Sequence, residues 1–117
     1  MVTSRFILAF CKVGQKLPGV EFGSTSIMSS FKDSIIESAH HKEISLISNF
    51  DRNNIGYKKL NKAVKESINI TNNRTFIIGG DHSISSASVP AFFDKYKENG
   101  HLLWIDAHAD IHTKETS

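Results

Sequence analysis

The sequence predicts an α/β protein built on a mainly parallel sheet, because short apolar runs alternate with helical segments along the chain. Between these runs, apolar residues recur at intervals of three and four, as they do on one face of a helix. Parallel strands joined by right-handed helical crossovers account for this order. The apolar runs typical of buried strands lie at 5–10, 44–50, 75–78 and 102–105.

The first half of the chain contributes two strands and one helix to this prediction. The run at 5–10 (RFILAF) is compact and apolar, and a Leu-Pro-Gly breaker follows at 17–19. The spacing of apolar residues predicts a helix over 24–40. Residues 44–50 fit both a helix and a strand, and the Asp and Asn residues that follow favour a strand.

The second half predicts two helices around a buried strand. Residues 75–78 (TFII) are β-branched and aromatic, and two glycines end this strand. The segment 83–98 reads as a helix that Pro90 splits or kinks. The segment 57–70 predicts an amphipathic helix, with Lys and Glu opposite an apolar stripe. That stripe consists of Tyr57, Leu60, Val64 and Ile68.

Composition excludes several classes of protein. The chain has 117 residues, 39% hydrophobic and 22% charged, which suits one globular domain rather than a fibrous or disordered chain. A net charge of +2 without a basic run disfavours nucleic acid and anionic membranes as partners. Cys11 is the one cysteine, so neither an internal disulfide nor a thiolate zinc cluster is expected. The apolar run at 6–11 is too short for a membrane span or a usual signal peptide, and we predict a cytoplasmic chain.

Two motifs carry the candidate chemistry, and each follows a predicted strand. The first is GGDHS at 79–83, and the second is DAHAD at 106–110. Ligands of open parallel sheets collect beyond the carboxyl ends of the strands. Because sequential strands are often neighbours, we expect His82 and Asp106 to lie close together.

The donor types in these motifs indicate a divalent metal site. In an extended segment Asp106, His108 and Asp110 project to one side, and the two alanines between them to the other. Two carboxylates and an imidazole so close together favour a cation, and His82 adds a second imidazole. A mixed oxygen and nitrogen set leaves Mn, Zn and Fe open, with Mn²⁺ preferred, held singly or as a pair bridged by Asp106. The alternative is a solvated loop without metal.

Neighbouring residues have structural interpretations of their own. Asp81 either orients a ligand from outside the coordination sphere or caps the following helix, and Ser83 is also placed to cap. Trp104 is expected to pack beside the second motif. Cys11 is expected to be a small buried thiol.

At these motifs the sequence resembles the ureohydrolase family, which comprises arginase, agmatinase and formimidoylglutamase. The matching segments are GGDHS at 79–83, WIDAHADIHT at 104–113 and, more weakly, GQKLPGVEFG at 14–23. The tail at 115–117 is similar to the segment before the SGNxHG element of arginase, which favours arginase within the family. The resemblance covers the amino-terminal part of the family's sequence.

This resemblance implies a three-layer αβα arginase-like fold and a centre of two Mn²⁺ ions. It implies hydrolysis of guanidino compounds, with L-arginine giving L-ornithine and urea. By motif match the metal ligands are His82, Asp106, His108 and Asp110, with Asp106 bridging. The implied substrate-binding residues are His108, Ala109, Asp110, Ile111 and His112. Arginases usually carry Asn at the position of His112, which puts recognition of an amino-acid carboxylate in question.

The family's later motifs have no counterpart in residues 1–117, so we expect the amino-terminal part of one arginase-like domain. These motifs are a histidine acid/base, a second aspartate metal motif and a late glutamate. Two divalent ions also need more negative charge than Asp106 and Asp110 supply. We therefore expect weak or no activity, and partners that include a guanidino substrate, further copies of the chain or a longer homologue. The alternatives are a non-catalytic metal-binding remnant or interaction module, and an agmatinase- or formimidoylglutamase-type hydrolase.

Overall fold

The computed structural model of the chain describes residues 3–12, 17–30, 42–47, 55–70, 73–113 and 115–116. In this part of the chain three strands form one parallel sheet in the order β2-β1-β3. Ile7 of the central strand pairs with Ser45 on one side and with Ile77 on the other. The strands are β1 (Thr3–Ala9), β2 (Lys42–Ile47) and β3 (Asn73–Gly79).

Helices connect and cover these strands, which confirms the predicted α/β class with a parallel sheet. They are α1 (Gly23–Ser30), α2 (Ile55–Asn69) and α3 (Ser85–Tyr96). Short 3₁₀ turns precede α1 at Val20–Phe22 and flank α3 at His82–Ile84 and Lys97–Asn99. The predicted helical residues 31–40 and strand residues 48–50 lie outside the described residues.

The central strand β1 is buried on both faces, which explains why its sequence is a continuous apolar run. Phe6 and Leu8 alternate with Ile7 and Ala9, and all four are buried. One face of β1 contributes Ile7 and Ala9 to the main core, where α2 and α3 cover it. The other core members are Leu60, Val64, Ala87 and Ala91.

Helix α2 packs through the stripe predicted from its sequence. Leu60 and Val64 are buried, and Tyr57 and Ile68 pack against the same core. A hydrogen bond from Asn61 Nδ2 to the carbonyl oxygen of Ala87 (2.9 Å) ties α2 to α3. Among the described residues, no helix combines the length and apolar character needed to cross a membrane.

The helix that contains Pro90 is continuous, so of the two predicted effects, a split or a kink, the split does not occur. Helix α3 runs from Ser85 to Tyr96 with Pro90 inside. The amide that Pro90 lacks would have bonded to the carbonyl of Ser86, four residues earlier. Both residues are exposed, so water can solvate the carbonyl that is left over.

The predicted strand at 102–105 is also wrong. This segment has no regular secondary structure, and Leu103 and Ile105 are 82% and 87% exposed. A strand requires a hydrogen-bonded neighbour, and none of the described strands pairs with this segment. An apolar, β-branched sequence favours a half-buried sheet surface but does not supply the partner strand.

Candidate metal centre

The turn after β3 is anchored to the carboxyl end of β1. The amide of Gly80 donates to the carbonyl of Ala9 (3.1 Å), and the amide of Asp81 donates to the carbonyl of Cys11 (3.1 Å). These bonds extend the contact between the two strands beyond the last paired residues, Ala9 and Gly79. The sheet itself therefore fixes where the GGDHS motif begins.

Gly80 is required at this anchor because the backbone approaches it closely. A Cβ atom there would lie 2.0 Å from the carbonyl oxygen of Cys11 and 2.8 Å from that of Val20. The second contact comes from Val20, in the 3₁₀ turn before α1, whose backbone lies close to Gly80. A side chain at position 80 would push apart two backbone segments rather than a flexible side chain.

Asp81 caps the 3₁₀ turn His82–Ile84, as one of its two predicted roles requires. Its buried carboxylate accepts hydrogen bonds from the amide of Ser83 (3.0 Å) and from the Ser83 hydroxyl. The Ser83 hydroxyl also accepts a hydrogen bond from the Tyr57 hydroxyl (2.7 Å) and lies 3.4 Å from the buried sulfur of Cys11. These four residues, Cys11, Tyr57, Asp81 and Ser83, form a polar cluster between α2 and the turn.

His82 faces the second motif, which confirms the predicted proximity of His82 and Asp106. Its Nδ1 lies 3.0 Å from Oδ2 of Asp106 and 3.4 Å from Oδ2 of Asp110. The three residues offer ligand atoms that all lie within 4.8 Å of one another. The imidazole also stacks on Trp104, with ring centroids 4.7 Å apart, so Trp104 packs at the site against His82 of the first motif.

The second motif is bent, so it lacks the extended backbone from which the alternation of its side chains was predicted. The amide of His108 donates to Oδ1 of Asp106 (2.9 Å), and Asp110 has a left-handed backbone with φ of 52°. Short acidic side chains tolerate both features in unpaired backbone. The bend brings Asp110 to His82 and leaves His108 outside the group of three, with its Nδ1 3.4 Å from Oδ1 of Asp106.

The electrostatics of the group favour an ionised Asp106. The amide of His108 holds the pKa of Asp106 below its usual range, and nearby His82 and His108 act in the same direction. Asp106 and Asp110 bring two acidic side chains to the group. A divalent cation would compensate the negative charge of such side chains.

The predicted substrate-binding stretch lies on the open surface. His108, Asp110 and Ile111 are exposed, and Ile111 is 81% exposed. Ala109 and His112 are exposed as well. Nδ1 of His112 lies 3.4 Å from the Thr116 hydroxyl. That hydroxyl also accepts a hydrogen bond from the amide of Thr113 (2.8 Å).

Sequence reasoning missed the link from Tyr57 to the GGDHS turn. Tyr57 occupies the apolar stripe of α2, and Ser83 lies 26 residues later. No local spacing pattern relates the two positions. The one available signal was chemical, because a tyrosine hydroxyl that is turned toward a core needs a hydrogen-bond partner.

Fold and site together define an α/β protein with a candidate metal group at the carboxyl edge of its parallel sheet. A family model described as the Arginase family matches residues 6–117. This match spans nearly the whole chain, and the chain belongs to the arginase family.

Individual relatives agree with this assignment. The crystal structure of arginase from Bacillus subtilis matches with a TM-score of 0.78 at 28% identity, over 98% of this chain and 41% of that chain. Arginase from Saccharomyces cerevisiae is 46% identical over 61 residues, which are 52% of this chain and 16% of that protein. Arginase from Staphylococcus aureus strain COL is 41% identical over 78 residues, which are 66% of this chain and 25% of that protein. The chain therefore has the arginase fold and spans less than half the length of these relatives.

We expect Gly80→Ala to lower the free energy of unfolding by roughly 2–4 kcal/mol, because the added methyl group meets two backbone carbonyls. Gly23→Ala is the matched control, since its Cβ would find its nearest atom at 3.8 Å. Gly23 is also helical, so the control should be neutral or more stable by about 0.4–1 kcal/mol. Urea denaturation measures the free energy of unfolding of both variants. Equal midpoints for wild type and Gly80→Ala would contradict the close approach.

Burial raises the pKa of the Tyr57 hydroxyl above its ordinary value of 10.0. Tyr57 therefore contributes stability that is fully present below that ordinary pKa and is lost as the pH rises through the higher folded-state pKa. We expect Tyr57→Phe to show a weaker loss of stability than wild type between about pH 9 and pH 11. Denaturant unfolding across this range tests the difference. Tyr96→Phe, at an exposed position of α3, keeps Tyr57 and should follow wild type.

Proposed function

We propose that residues 1–117 form the amino-terminal part of an arginase-like hydrolase domain that uses two Mn²⁺ ions. The proposed reaction is hydrolysis of L-arginine to L-ornithine and urea. The observation that carries the proposal is the convergence of His82, Asp106 and Asp110 in a chain of the arginase family. Relatives named arginase favour arginine over the substrates of agmatinase or formimidoylglutamase.

The distances within the group support a shared cation. Ligand atoms about 2.1 Å from one ion lie roughly 3.0–3.4 Å apart in octahedral or tetrahedral geometry. Nδ1 of His82 lies 3.0 Å and 3.4 Å from the nearest oxygens of Asp106 and Asp110. The three side chains therefore need little rearrangement to serve one cation.

Asp106 suits the bridging role that the family resemblance suggests. Its Oδ2 faces His82, whereas its Oδ1 faces His108 at 3.4 Å. Each oxygen thus has an imidazole on its own side. We propose His108 as the further ligand, which a rotation of its exposed side chain would bring into position.

When bound, divalent ions would supply a water molecule of lowered pKa as the nucleophile. The residues of this chain hold the ions and shape one side of the substrate site. The proposed substrate contacts are made by residues 108–112, which are exposed next to the group. His112 offers a ring N–H to a substrate carboxylate, where Asn would offer an amide N–H.

We propose that this chain alone has little activity. Asp106 and Asp110 supply two negative charges toward two divalent ions, and oxygen-rich metal sites generally use more carboxylates. The chain also corresponds to 41% of the Bacillus subtilis arginase chain. Its single cysteine, Cys11, fits a reducing compartment such as the cytoplasm.

Titration of the purified chain with Mn²⁺, followed by calorimetry and by a urea assay with arginine, tests the proposal. We expect saturable Mn²⁺ binding, at least about tenfold weaker in His82→Ala because a donor is lost. His101→Ala is the control, since His101 is exposed and lies outside the group of three. Urea release should be weak or absent. Equal Mn²⁺ affinity in His82→Ala and wild type would refute the metal centre, and full turnover would refute the claim of incompleteness.

A second candidate function is a non-catalytic interaction module that pairs with a longer arginase-family chain or with its own copies. The observation that favours it is the exposure of large apolar side chains next to the candidate centre. Leu103, Ile105 and Ile111 are each more than four-fifths exposed. Exposed apolar residues in a contiguous stretch are typical of interaction surfaces.

If this second function operates, the chain should co-purify with a co-expressed longer arginase-family protein. Leu103→Asp together with Ile105→Asp should abolish that association, because charge at an apolar contact is costly to bury. Leu17→Asp is the control, since Leu17 is 76% exposed but precedes α1. Sedimentation velocity measures both association and self-assembly. If the chain is a monomer and does not bind the longer arginase-family protein, the interaction-module function is excluded.

A further inference from the structure

The polar cluster of Cys11, Tyr57, Asp81 and Ser83 adjoins the candidate metal centre without contributing a ligand to it. The Tyr57 hydroxyl donates to Ser83 Oγ (2.7 Å), and Ser83 Oγ donates to the carboxylate of Asp81. Asp81 is only 7% exposed. A buried carboxylate costs free energy unless its oxygens accept hydrogen bonds. The hydrogen bond from Ser83 therefore stabilises the buried Asp81.

Both chain neighbours of His82 belong to this cluster. The amide of Asp81 is bound to the carbonyl of Cys11 (3.1 Å), and the amide of Ser83 is bound to Asp81 (3.0 Å). The backbone of His82 is thus fixed between two anchored residues. Its side chain remains 49% exposed and reaches Asp106 and Asp110.

The Ser83 hydroxyl is held between Asp81 and Tyr57. A serine hydroxyl has one hydrogen to donate and two lone pairs that accept. The Asp81 carboxylate accepts the Ser83 hydrogen, and the Tyr57 hydroxyl donates to a lone pair of Ser83 from the other side. Tyr57 lies in the first turn of α2, so this contact connects a core helix to the turn that carries His82.

We propose that Tyr57 is a positioning residue for His82, acting through Ser83 and Asp81 to hold the imidazole toward the two carboxylates. The inference deepens the proposed function and rests on it, since it assigns Tyr57 a part in metal affinity. The Tyr57 hydroxyl reaches the turn through Ser83, the residue next to His82. Its effect is conveyed by the orientation of the 3₁₀ turn His82–Ile84.

The structure supplies a direct readout that needs no metal. Trp104 is the single tryptophan of the chain, and its ring stacks on His82 at 4.7 Å. Its emission, excited where tyrosine does not absorb, therefore reports the placement of the His82 imidazole. The emission of His82→Ala defines the value with the stack removed.

The experiment compares Tyr57→Phe, which loses only the hydroxyl, with wild type. Ser67→Ala is the matched control, because it removes a buried hydroxyl from the same helix, where Ser67 contacts Thr75 (2.5 Å) far from the turn. In Tyr57→Phe we expect metal-free Trp104 emission to move toward that of His82→Ala. We also expect Mn²⁺ affinity to fall about tenfold. Ser67→Ala should match wild type in both measurements.

Each outcome decides the inference. Unchanged emission and affinity in Tyr57→Phe would overturn it, and so would equal shifts in Ser67→Ala, which would indicate general loosening. If wild type binds no Mn²⁺, the proposed function fails, and the emission measurement alone decides the role of Tyr57. If circular dichroism shows that Tyr57→Phe does not fold, Ser83→Ala breaks the same link from its other end and should give the same shifts.

Discussion

Two hydrogen bonds that extend the pairing of β1 and β3 determine the geometry of the site. The amides of Gly80 and Asp81 reach the carbonyls of Ala9 and Cys11, so the chain leaves the sheet in a fixed direction. The close approach tolerates no side chain at position 80. The turn that begins there carries His82 to the carboxyl edge of the sheet, where ligands of parallel sheets collect. The core supports this arrangement from below, since Ile7 and Ala9 of the same strand pack under α2 and α3.

The second half of the site is organised by local bonds rather than by the sheet. Residues 102–105 have no strand partner among the described residues, yet Asp106 and Asp110 still meet His82. A hydrogen bond from the amide of His108 to the Asp106 carboxylate forms the bend. Stacking of Trp104 on His82 holds the second motif against the turn after β3. The two motifs therefore lie close together without the strand pairing that was predicted for residues 102–105.

Patterns that depend on nearby residues were predictable, and those that depend on distant partners were not. The apolar run of β1, the stripe of α2 and the glycine stop after β3 each reflect a local constraint, and all three elements form where expected. The strand at 102–105 failed because pairing is a property of two segments. For the same reason, the residues around Tyr57 did not predict its hydrogen bond to Ser83. The residues around Asp106 likewise did not predict the bend of the motif. The meeting of His82 with Asp106 was predicted from neighbouring strand ends, and it occurs although residues 102–105 do not form the expected strand.

The left-handed backbone of Asp110 has a consequence for which amino acids this position can accept. Among residues with side chains, Asp, Asn and His enter that conformation most readily, whereas bulky or β-branched residues are strained there. Glutamate would keep the charge but is less favoured in this conformation, and asparagine or glycine would keep the backbone but discard the charge. Local chain geometry and the proposed need for an anionic metal ligand thus favour the same amino acid at this position.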